Sequence, residues 1–281
     1  MLSVIVHRPD RVARLEDTLG DLAGQVASLG GEIVVVSTEQ YVEITALKIY
    51  GDMIRQLRVD RTGEPAAWEA GAVAASRPTV AFTVAGCRYG PGWAASASGR
   101  RGAIVAGPVD LAAGAGRVGR CSYLCDYADF LEDQDCGRGG AAACNVAFDR
   151  RTLMDLGPRH GWEKWSILGR GGTPIEWSAA LRSTVDPPRE LRRSGLAQFR
   201  RGRHYAAGRS AGWARAARIA AGAGCLGLPP LRLARVVADR SVRRSEGLSL
   251  LADLPCLAAL LGCWSLGEMA GYLAGPRNDA S

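Results

Sequence analysis

The chain has 281 residues, of which 47% are apolar and 22% are charged, and its formal net charge is +7. This composition is ordinary for a globular protein with a buried core, and it excludes a disordered, collagen-like or coiled-coil chain. The length predicts one or two domains.

The N-terminal part of the chain alternates between short apolar runs and helical patterns. Strands are predicted at Leu2–Val6, Ile33–Val36, Leu57–Val59 and Thr79–Val84. Helices are predicted for residues 12–29, 41–50 and 65–76. Strands separated by helices form parallel sheets, so an α/β fold is expected. Its ligands should lie beyond the carboxyl ends of the strands, at His7–Asp10, Ser37–Gln40, Asp60–Glu64 and Val84–Tyr89.

The C-terminal part is helical by pattern from Trp213 to Gly275, with an interruption at Pro229-Pro230. Residues 248–267 are apolar, but Asp253 and Pro255 within them and Glu268 beside them argue against a free-standing membrane span. Two interpretations stay open: a helix packed on the protein core, or a helix lying in a membrane interface.

Positive charge is concentrated in one segment. Between Arg182 and Arg244 there are fifteen arginines and three acidic residues, which gives +12 and leaves −5 for the rest of the chain. This asymmetry predicts an anionic partner, while the alternative is a solvated arginine-rich surface in a chain with only two lysines. No recognition motif supports nucleic acid as that partner.

Several common sites are excluded or disfavoured. Cys121, Cys125, Cys136 and Cys144 lack the paired spacing of zinc knuckles, which favours buried apolar thiols over a metal site. The turn after the first strand reads HRPDR, which is no dinucleotide fingerprint, and neither lysine lies in a glycine-rich phosphate loop. Eight cysteines without a signal peptide indicate a cytoplasmic protein.

Five stretches in the right order resemble the family-2 glycosyltransferases, which have a GT-A fold. They are SVIVHRPDR with GEIVVVSTE, then GEPAAWEAGAVAASRPTVAFTVAGCRYGPGW at 63–93, then AAACNVAFDRRTLMDLG, and finally FRRGRHYAAGR. The closing LGEMAGYLAG resembles the tail of many bacterial members. The resemblance implies a GT-A-like domain over 1–190, with a mostly parallel sheet flanked by helices, and an arginine-rich helical extension over 191–281.

The resemblance also implies a nucleotide-sugar site. Its residues would be His7, Arg8, Pro9, Ser37, Thr38, Glu39, Gly63, Glu64, Trp68, Val84, Gly86 and Arg88. The family holds Mn²⁺ or Mg²⁺ with two carboxylates at the end of the fourth strand, where this chain has Val84-Ala85-Gly86. We therefore expect no metal ligands there, and the acidic stretch at Glu132–Asp135 is interpreted as a solvated loop.

The remaining site residues follow from the same resemblance. Glu163 is the candidate general base, which would take the proton of the acceptor hydroxyl, although an ion pair with Lys164 is an equal alternative. Asn145, Trp162, Arg200, Arg203 and His204 are candidates for phosphate or acceptor binding. In place of a metal, Arg88 and the arginines at 200–203 would stabilise the departing diphosphate.

Two functions are carried forward. The first is an inverting glycosyltransferase without the usual metal site, which transfers a sugar from a nucleotide sugar to a glycan, lipid-linked or small-molecule acceptor. The second is a catalytically silent relative that binds a nucleotide, a glycan or a partner enzyme. Either would be cytoplasmic, with peripheral contact at the inner face of a membrane as an additional expectation.

Overall fold

A computed structural model describes most of the chain and divides it into two compact units. The described residues are 1–8, 14–37, 45–59, 64–99, 104–128, 141–160, 175–210, 212–239, 242 and 249–275. Unit 1 comprises Met1–Asp110 and Asp129–Val185, and unit 2 comprises Leu111–Ala128 and Asp186–Ser281. The segment 111–128 thus belongs to unit 2, although it lies inside the 1–190 range that the sequence assigned to the first domain.

Unit 1 contains ten strands and five helices within the described residues. The strands are β1 (Leu2–Arg8), β2 (Glu32–Ser37), β3 (Ile54–Arg58), β4 (Thr79–Val84), β5 (Cys87–Tyr89), β6 (Ile104–Ala106), β7 (Val109–Leu111), β8 (Val146–Asp149), β9 (Ile175–Trp177) and β10 (Ser183–Val185), the last residue of β7 falling in unit 2. The helices are α1 (Leu15–Ser28), α2 (Thr45–Tyr50), α3 (Glu64–Ala74), α4 (Trp93–Ser98) and α6 (Arg150–His160).

The main sheet of unit 1 is mostly parallel. Among the described residues, seven strands pair in the order β3-β2-β1-β4-β8-β6-β9, with β8 antiparallel to both of its neighbours. Strands β5, β10 and β7 form a separate small sheet. The predicted fold class, an α/β protein with a mostly parallel sheet flanked by helices, is confirmed.

Continuous apolar strands explain why this sheet lies in the core. Every residue of β1 is buried, as expected for a central parallel strand covered on both faces. On one face α1 buries Leu19, Leu22 and Val26, which recur at helical spacing. On the other face Trp68 of α3 packs edge-on against Phe82, and Phe82 packs against Phe148.

The amino edge of the sheet is fixed by one buried carboxylate. Glu32 accepts hydrogen bonds from Ser3 Oγ at 2.6 Å, from the backbone N–H of Ser76 at 2.6 Å and from Arg55 at 2.8 Å. Burial alone would raise the pKa of Glu32, but these hydrogen bonds outweigh it and lower the pKa to about 2. Glu32 therefore ties β1, β2 and β3 to the turn before β4.

Unit 2 is helical in the part of it that the structure describes. Its helices are α5 (Gly116–Tyr127), α7 (Leu191–Arg209), α8 (Arg215–Gly224), α9 (Leu228–Ala238) and α10 (Ser249–Ala274), with a 3-10 turn at Cys225–Gly227. The interruption predicted at Pro229-Pro230 lies slightly earlier, because prolines are tolerated in the first turn of a helix and here they begin α9. Helix α10 continues through Pro255.

Helices α7 and α10 approach closely at glycines. A Cβ on Gly267 would lie 2.0 Å from the Phe199 carbonyl oxygen, and one on Gly271 would lie 2.3 Å from that of Arg203. A Cβ on Gly202 of α7 would similarly meet the Trp264 carbonyl at 2.2 Å. The G-x-x-x-G spacing of Gly267 and Gly271 therefore lets the two backbones touch.

Two buried carboxylates of α10 are paired with arginines of other helices. Asp253 accepts from Arg120 of α5 at 2.6 Å, and Arg117 lies 3.3 Å away. Glu268 lies 3.3 Å from Arg232 of α9, and burial raises its pKa. Among the described residues, α10 is the one helix long and apolar enough to cross a membrane. It also packs against α5, α7, α8 and α9, so it is the central helix of unit 2.

Candidate functional site

The strand order of unit 1 reverses between β1 and β4. The chain proceeds from β1 outward through β2 to β3, and then returns to add β4 on the other side of β1. In open α/β sheets, ligands bind in the crevice at the carboxyl ends of the strands where such a reversal occurs. His7 and Val84 are register partners at this point, so the predicted residues of both strands meet there.

One face of this edge carries a row of polar side chains. Arg8, Ser37 and Arg58 are successive register partners on β1, β2 and β3, so their side chains point to the same face of the sheet. Arg8 is buried, Ser37 is half-buried and Arg58 is exposed. The row therefore runs from the interior to the surface and places a guanidinium at each end.

The opposite face of the same edge is aromatic. The His7 ring contacts the Trp68 ring edge-on, with 5.4 Å between centroids. Trp68 is 1% exposed and belongs to the hydrophobic core, so His7 packs against the core through this contact. Among the predicted residues, the structure thus places Arg8 and Ser37 on one face of this edge and His7 with Trp68 on the other, while Val84 and Gly86 lie at the neighbouring end of β4.

The turn after β4 is shaped by a glycine and a buried threonine. Gly86 has φ +97°, a conformation that side chains other than glycine rarely adopt. Its N–H donates to Thr18 Oγ1 at 3.0 Å, and the Thr18 hydroxyl donates to the Cys87 carbonyl at 2.7 Å. The described residues of this turn supply no side-chain oxygen ligand, so they do not fit the divalent cation that the family resemblance implies. More widely, no cluster of three or more His, Cys, Asp or Glu side chains that could hold a metal occurs in the described ranges.

Arg88 follows the same turn, but its guanidinium is ion-paired with Asp21. Its Nε and Nη2 donate to the two Asp21 oxygens of α1, at 2.6 and 2.8 Å, and the Tyr89 N–H also donates to Asp21 at 2.9 Å. Burial by itself raises the pKa of Asp21, but these hydrogen bonds outweigh it and lower the pKa. Arg88 thereby attaches β5 to α1, which is a structural contact that the sequence did not reveal.

Asn145 is a fully buried cross-link. Its Oδ1 accepts from Trp93 Nε1 at 2.8 Å, and its Nδ2 donates to the carbonyls of Pro108 at 2.9 Å and Leu181 at 2.6 Å. Both ends of the amide are therefore used inside unit 1, where they connect the start of β8 with α4 and with the segments before β7 and β10. This arrangement differs from the phosphate or acceptor contact predicted from the sequence.

The other predicted residues fall elsewhere. Arg200, Arg203 and His204 lie on α7 of unit 2. Glu163, the candidate general base, lies outside the described residues. The same holds for Pro9, Thr38, Glu39, Gly63, Trp162 and the acidic stretch at 132–135, while for Glu64 the structure describes only the backbone at the start of α3. Cys121 and Cys125 are on α5, and burial raises the pKa of both thiols.

Arg58 is a candidate that sequence reasoning missed. The strand was predicted at Leu57–Val59, which put Arg58 in its middle, whereas the strand runs from Ile54 to Arg58. The available signal was the three polar residues among the five of IRQLR, since charged and polar side chains are common on edge strands. Only the pairing of β2 with β3 shows that Arg58 stands beside Ser37.

Comparisons with known proteins find similar solved structures but no similar sequence family. No protein-family model matches the chain, and no curated protein matches it. One similar solved structure is a mannosyltransferase from Pyrobaculum calidifontis in complex with GDP-Man and Mn²⁺, with 16% identity, TM-score 0.49, and coverage of 97% of this chain and 74% of that one. A second is a mycobacterial protein with 17% identity, TM-score 0.46, and coverage of 71% and 72%. A third is glucosyl-3-phosphoglycerate synthase from Mycobacterium tuberculosis in complex with phosphoglyceric acid, with 16% identity, TM-score 0.42, and coverage of 69% and 75%.

Proposed function

We propose that unit 1 binds a nucleotide sugar at the reversal point of its sheet and that the protein is an inverting glycosyltransferase. The observation that carries this proposal is the row of Arg8, Ser37 and Arg58 at the carboxyl ends of three adjacent parallel strands. Neighbouring strands are about 4.8 Å apart, so the row spans roughly 10 Å, which suits a diphosphate. Two guanidinium groups and a hydroxyl supply the donors that phosphate oxygens need.

In this proposal the donors of the row stabilise the charge on the diphosphate, as a metal ion does in the family that the sequence resembles. The acceptor oxygen attacks the anomeric carbon as the bond from that carbon to the diphosphate oxygen breaks. Negative charge then grows on the diphosphate, where Arg8 and Arg58 stabilise it. Glu163, predicted from the sequence as the base, takes the proton of the acceptor hydroxyl.

The second candidate, a silent relative that binds the nucleotide without turnover, is favoured by a specific observation. The turn at Val84–Gly86 offers no carboxylate, and the backbone at Gly86 is in a conformation suited to glycine. The two candidates share the binding site and differ in turnover. They are separated by release of nucleoside diphosphate in the presence of an acceptor.

Thermal unfolding of the full chain with UDP-glucose and GDP-mannose, the donors bound in two of the similar structures, tests the shared site. A ligand at a hundred times its Kd stabilises the folded state by about 2.7 kcal/mol. We expect Arg58→Gln to reduce that stabilisation by weakening the affinity. Arg151→Gln is the matched control, because Arg151 is also exposed but lies in the first turn of α6, beside the amino end of β4. Stabilisation by neither nucleotide sugar, or equal loss in both variants, would contradict the proposed site.

A further inference from the structure

The outer surface of unit 2 exposes many large apolar side chains. Besides Leu191 and Leu196 of α7, they are Trp213, Ile219, Leu226, Leu231, Leu251, Leu266 and Leu273. Leu226 is 70% exposed and Leu231 is 58% exposed, and both lie at the junction between the 3-10 turn and the start of α9. Single exposed leucines are common in soluble proteins, so their arrangement is what matters.

On α10 the exposed residues form one apolar stripe. Leu251, Pro255, Ala259, Leu266 and Leu273 are all exposed and are separated by four, four, seven and seven positions. These separations place them on one face of a helix. Asp253 and Glu268 point away from that face, into their ion pairs with α5 and α9. The outward face of α10 therefore carries no charge.

The stripe adjoins α8, which continues the same surface. A Cβ on Gly222 of α8 would lie 3.5 Å from Leu273, so the C-terminal end of the stripe touches this helix. From Gly212 to Ala238 the chain has four arginines and no acidic residue. Arg215 and Arg235 are exposed among alanine, leucine and isoleucine side chains. Arg232 is ion-paired with Glu268, so the exposed positive charge of the segment is that of Arg215 and Arg235. This combination of exposed aliphatic groups with exposed arginines is typical of helices that lie in a membrane interface.

Aromatic rings and arginines flank the junction between α7 and α8. Trp213 stacks on Tyr272 with 5.9 Å between centroids, and the Arg209 guanidinium lies 5.8 Å from the Trp213 ring. Tryptophan and tyrosine are enriched at the boundary between lipid and water because each has an apolar body and a polar group. Trp213 would therefore be expected to lie at the level of the headgroups if this surface contacted a bilayer.

We propose that the surface made of α8, the turn at Cys225–Gly227 and the start of α9, together with Leu273 where the stripe of α10 touches α8, binds an anionic lipid bilayer in the plane of the interface. Leu226 and Leu231 insert among the lipids, and Arg215 and Arg235 contact headgroups. The proposal moves the inserted part from residues 248–267, considered from the sequence, to the exposed junction before α9. It goes beyond the proposed function, because it requires no nucleotide sugar.

Charge favours a membrane over a second copy of the chain. In a two-fold dimer the same surface meets itself, so Arg215 and Arg235, which have no acidic partner among the described residues, would meet a surface of like charge and be repelled. An anionic leaflet supplies the opposite charge, and each arginine near it adds to binding within a Debye length, ~8 Å at physiological salt. The leucines add a component that salt does not screen.

Co-sedimentation of the full chain with vesicles tests the proposal. We expect binding to vesicles of phosphatidylcholine with phosphatidylglycerol, at least tenfold weaker binding to phosphatidylcholine alone, and a several-fold decrease at 0.5 M salt, with residual binding above background. The double variant Leu226→Glu, Leu231→Glu should lower binding to anionic vesicles at least tenfold. Both side chains are exposed, so thermal unfolding of this variant should match that of the unmodified chain.

The matched control is Ile49→Glu. Ile49 is 73% exposed on α2 of unit 1, so this change removes an equally exposed aliphatic group and adds one negative charge on an element that does not belong to the proposed surface. Its binding should stay within twofold of the unmodified chain. No binding to either vesicle type would overturn the proposal, as would equal loss in the control. A dimer in light scattering that becomes a monomer in the double leucine variant, without vesicle binding, would assign the surface to a second copy instead.

Discussion

Replacing Asn145 with alanine distinguishes a structural role for this residue from the ligand contact expected from the sequence. The change removes three hydrogen bonds, to the Trp93 indole and to the carbonyls of Pro108 and Leu181. A buried group left without its partner costs about 1–3 kcal/mol. The carbonyl groups of Pro108 and Leu181 can adjust to the loss of their donor more easily than the Trp93 indole N–H can adjust to the loss of its acceptor. We therefore expect the free energy of unfolding to fall by roughly 3–5 kcal/mol.

The measurement is urea denaturation of the full chain at neutral pH, with tryptophan fluorescence and circular dichroism as independent probes. Gln25→Ala is the matched control. The Gln25 amide also makes three hydrogen bonds, to the carbonyls of Asp21 and Gly90 and from the Ala94 N–H, but it is only half-buried. Because water can replace those partners, its loss should cost about 1 kcal/mol or less.

The reasoning would be refuted if Asn145→Ala unfolded within 1 kcal/mol of the unmodified chain. A variant of normal stability that no longer binds any nucleotide sugar would restore the ligand role. A variant that loses stability and keeps its affinity, measured at a temperature where it is folded, would support the cross-link.

Three further predictions concern single residues. The pKa of Glu32 is about 2, below its ordinary value, so its contribution is complete above pH 4.5 and is lost as pH falls toward 2. Glu32→Gln should therefore remove roughly 3 kcal/mol of the stability that is lost in acid. Between pH 5 and pH 2, the free energy of unfolding of the variant should fall less steeply than that of the unmodified chain. Gly86→Ala should cost about 1–2 kcal/mol in thermal unfolding because of its positive φ, whereas Gly99→Ala, at φ −79°, should be nearly neutral; equal costs would contradict the strain. Gly267→Ala should lower unfolding free energy by about 1–3 kcal/mol by pushing α10 from α7, while Gly262→Ala, with open space around it, should be neutral or stabilising; a harmless Gly267→Ala would exclude the close approach.

Local patterns were sufficient to predict the central strands of unit 1. The strand at Thr79–Val84 was predicted with its observed bounds, and β1 and β2 differ from prediction by one or two residues at their ends. These segments are uninterrupted apolar runs, which is the pattern of a strand buried on both faces. Their carboxyl ends, and with them the place of the candidate site, therefore followed from the sequence.

Contacts between distant segments could not be predicted in the same way. An asparagine before an apolar strand looks the same whether its amide faces a ligand or, like that of Asn145, the backbone of two other segments. Arg88 and Arg58 are both arginines near strand ends, and only the position of Asp21 and the register of β3 separate their roles. Side-chain partners depend on chain topology, which periodicity does not encode.

The pairing of Asp253 with Arg120 has a consequence for the order in which the protein is made. These residues are 133 positions apart, and α5, which carries Arg120, belongs to a unit whose other helices all come after Asp186. At 5–20 residues per second, a ribosome needs roughly 7–27 s to add that stretch. During that time Cys121 of α5, whose thiol lies 3.7 Å from the Asp253 carbonyl oxygen in the folded protein, lacks the helix that packs beside it. A nascent chain stopped after α9 should therefore hold α5 accessible to chaperones and to thiol reagents, and completion of α10 should end that access.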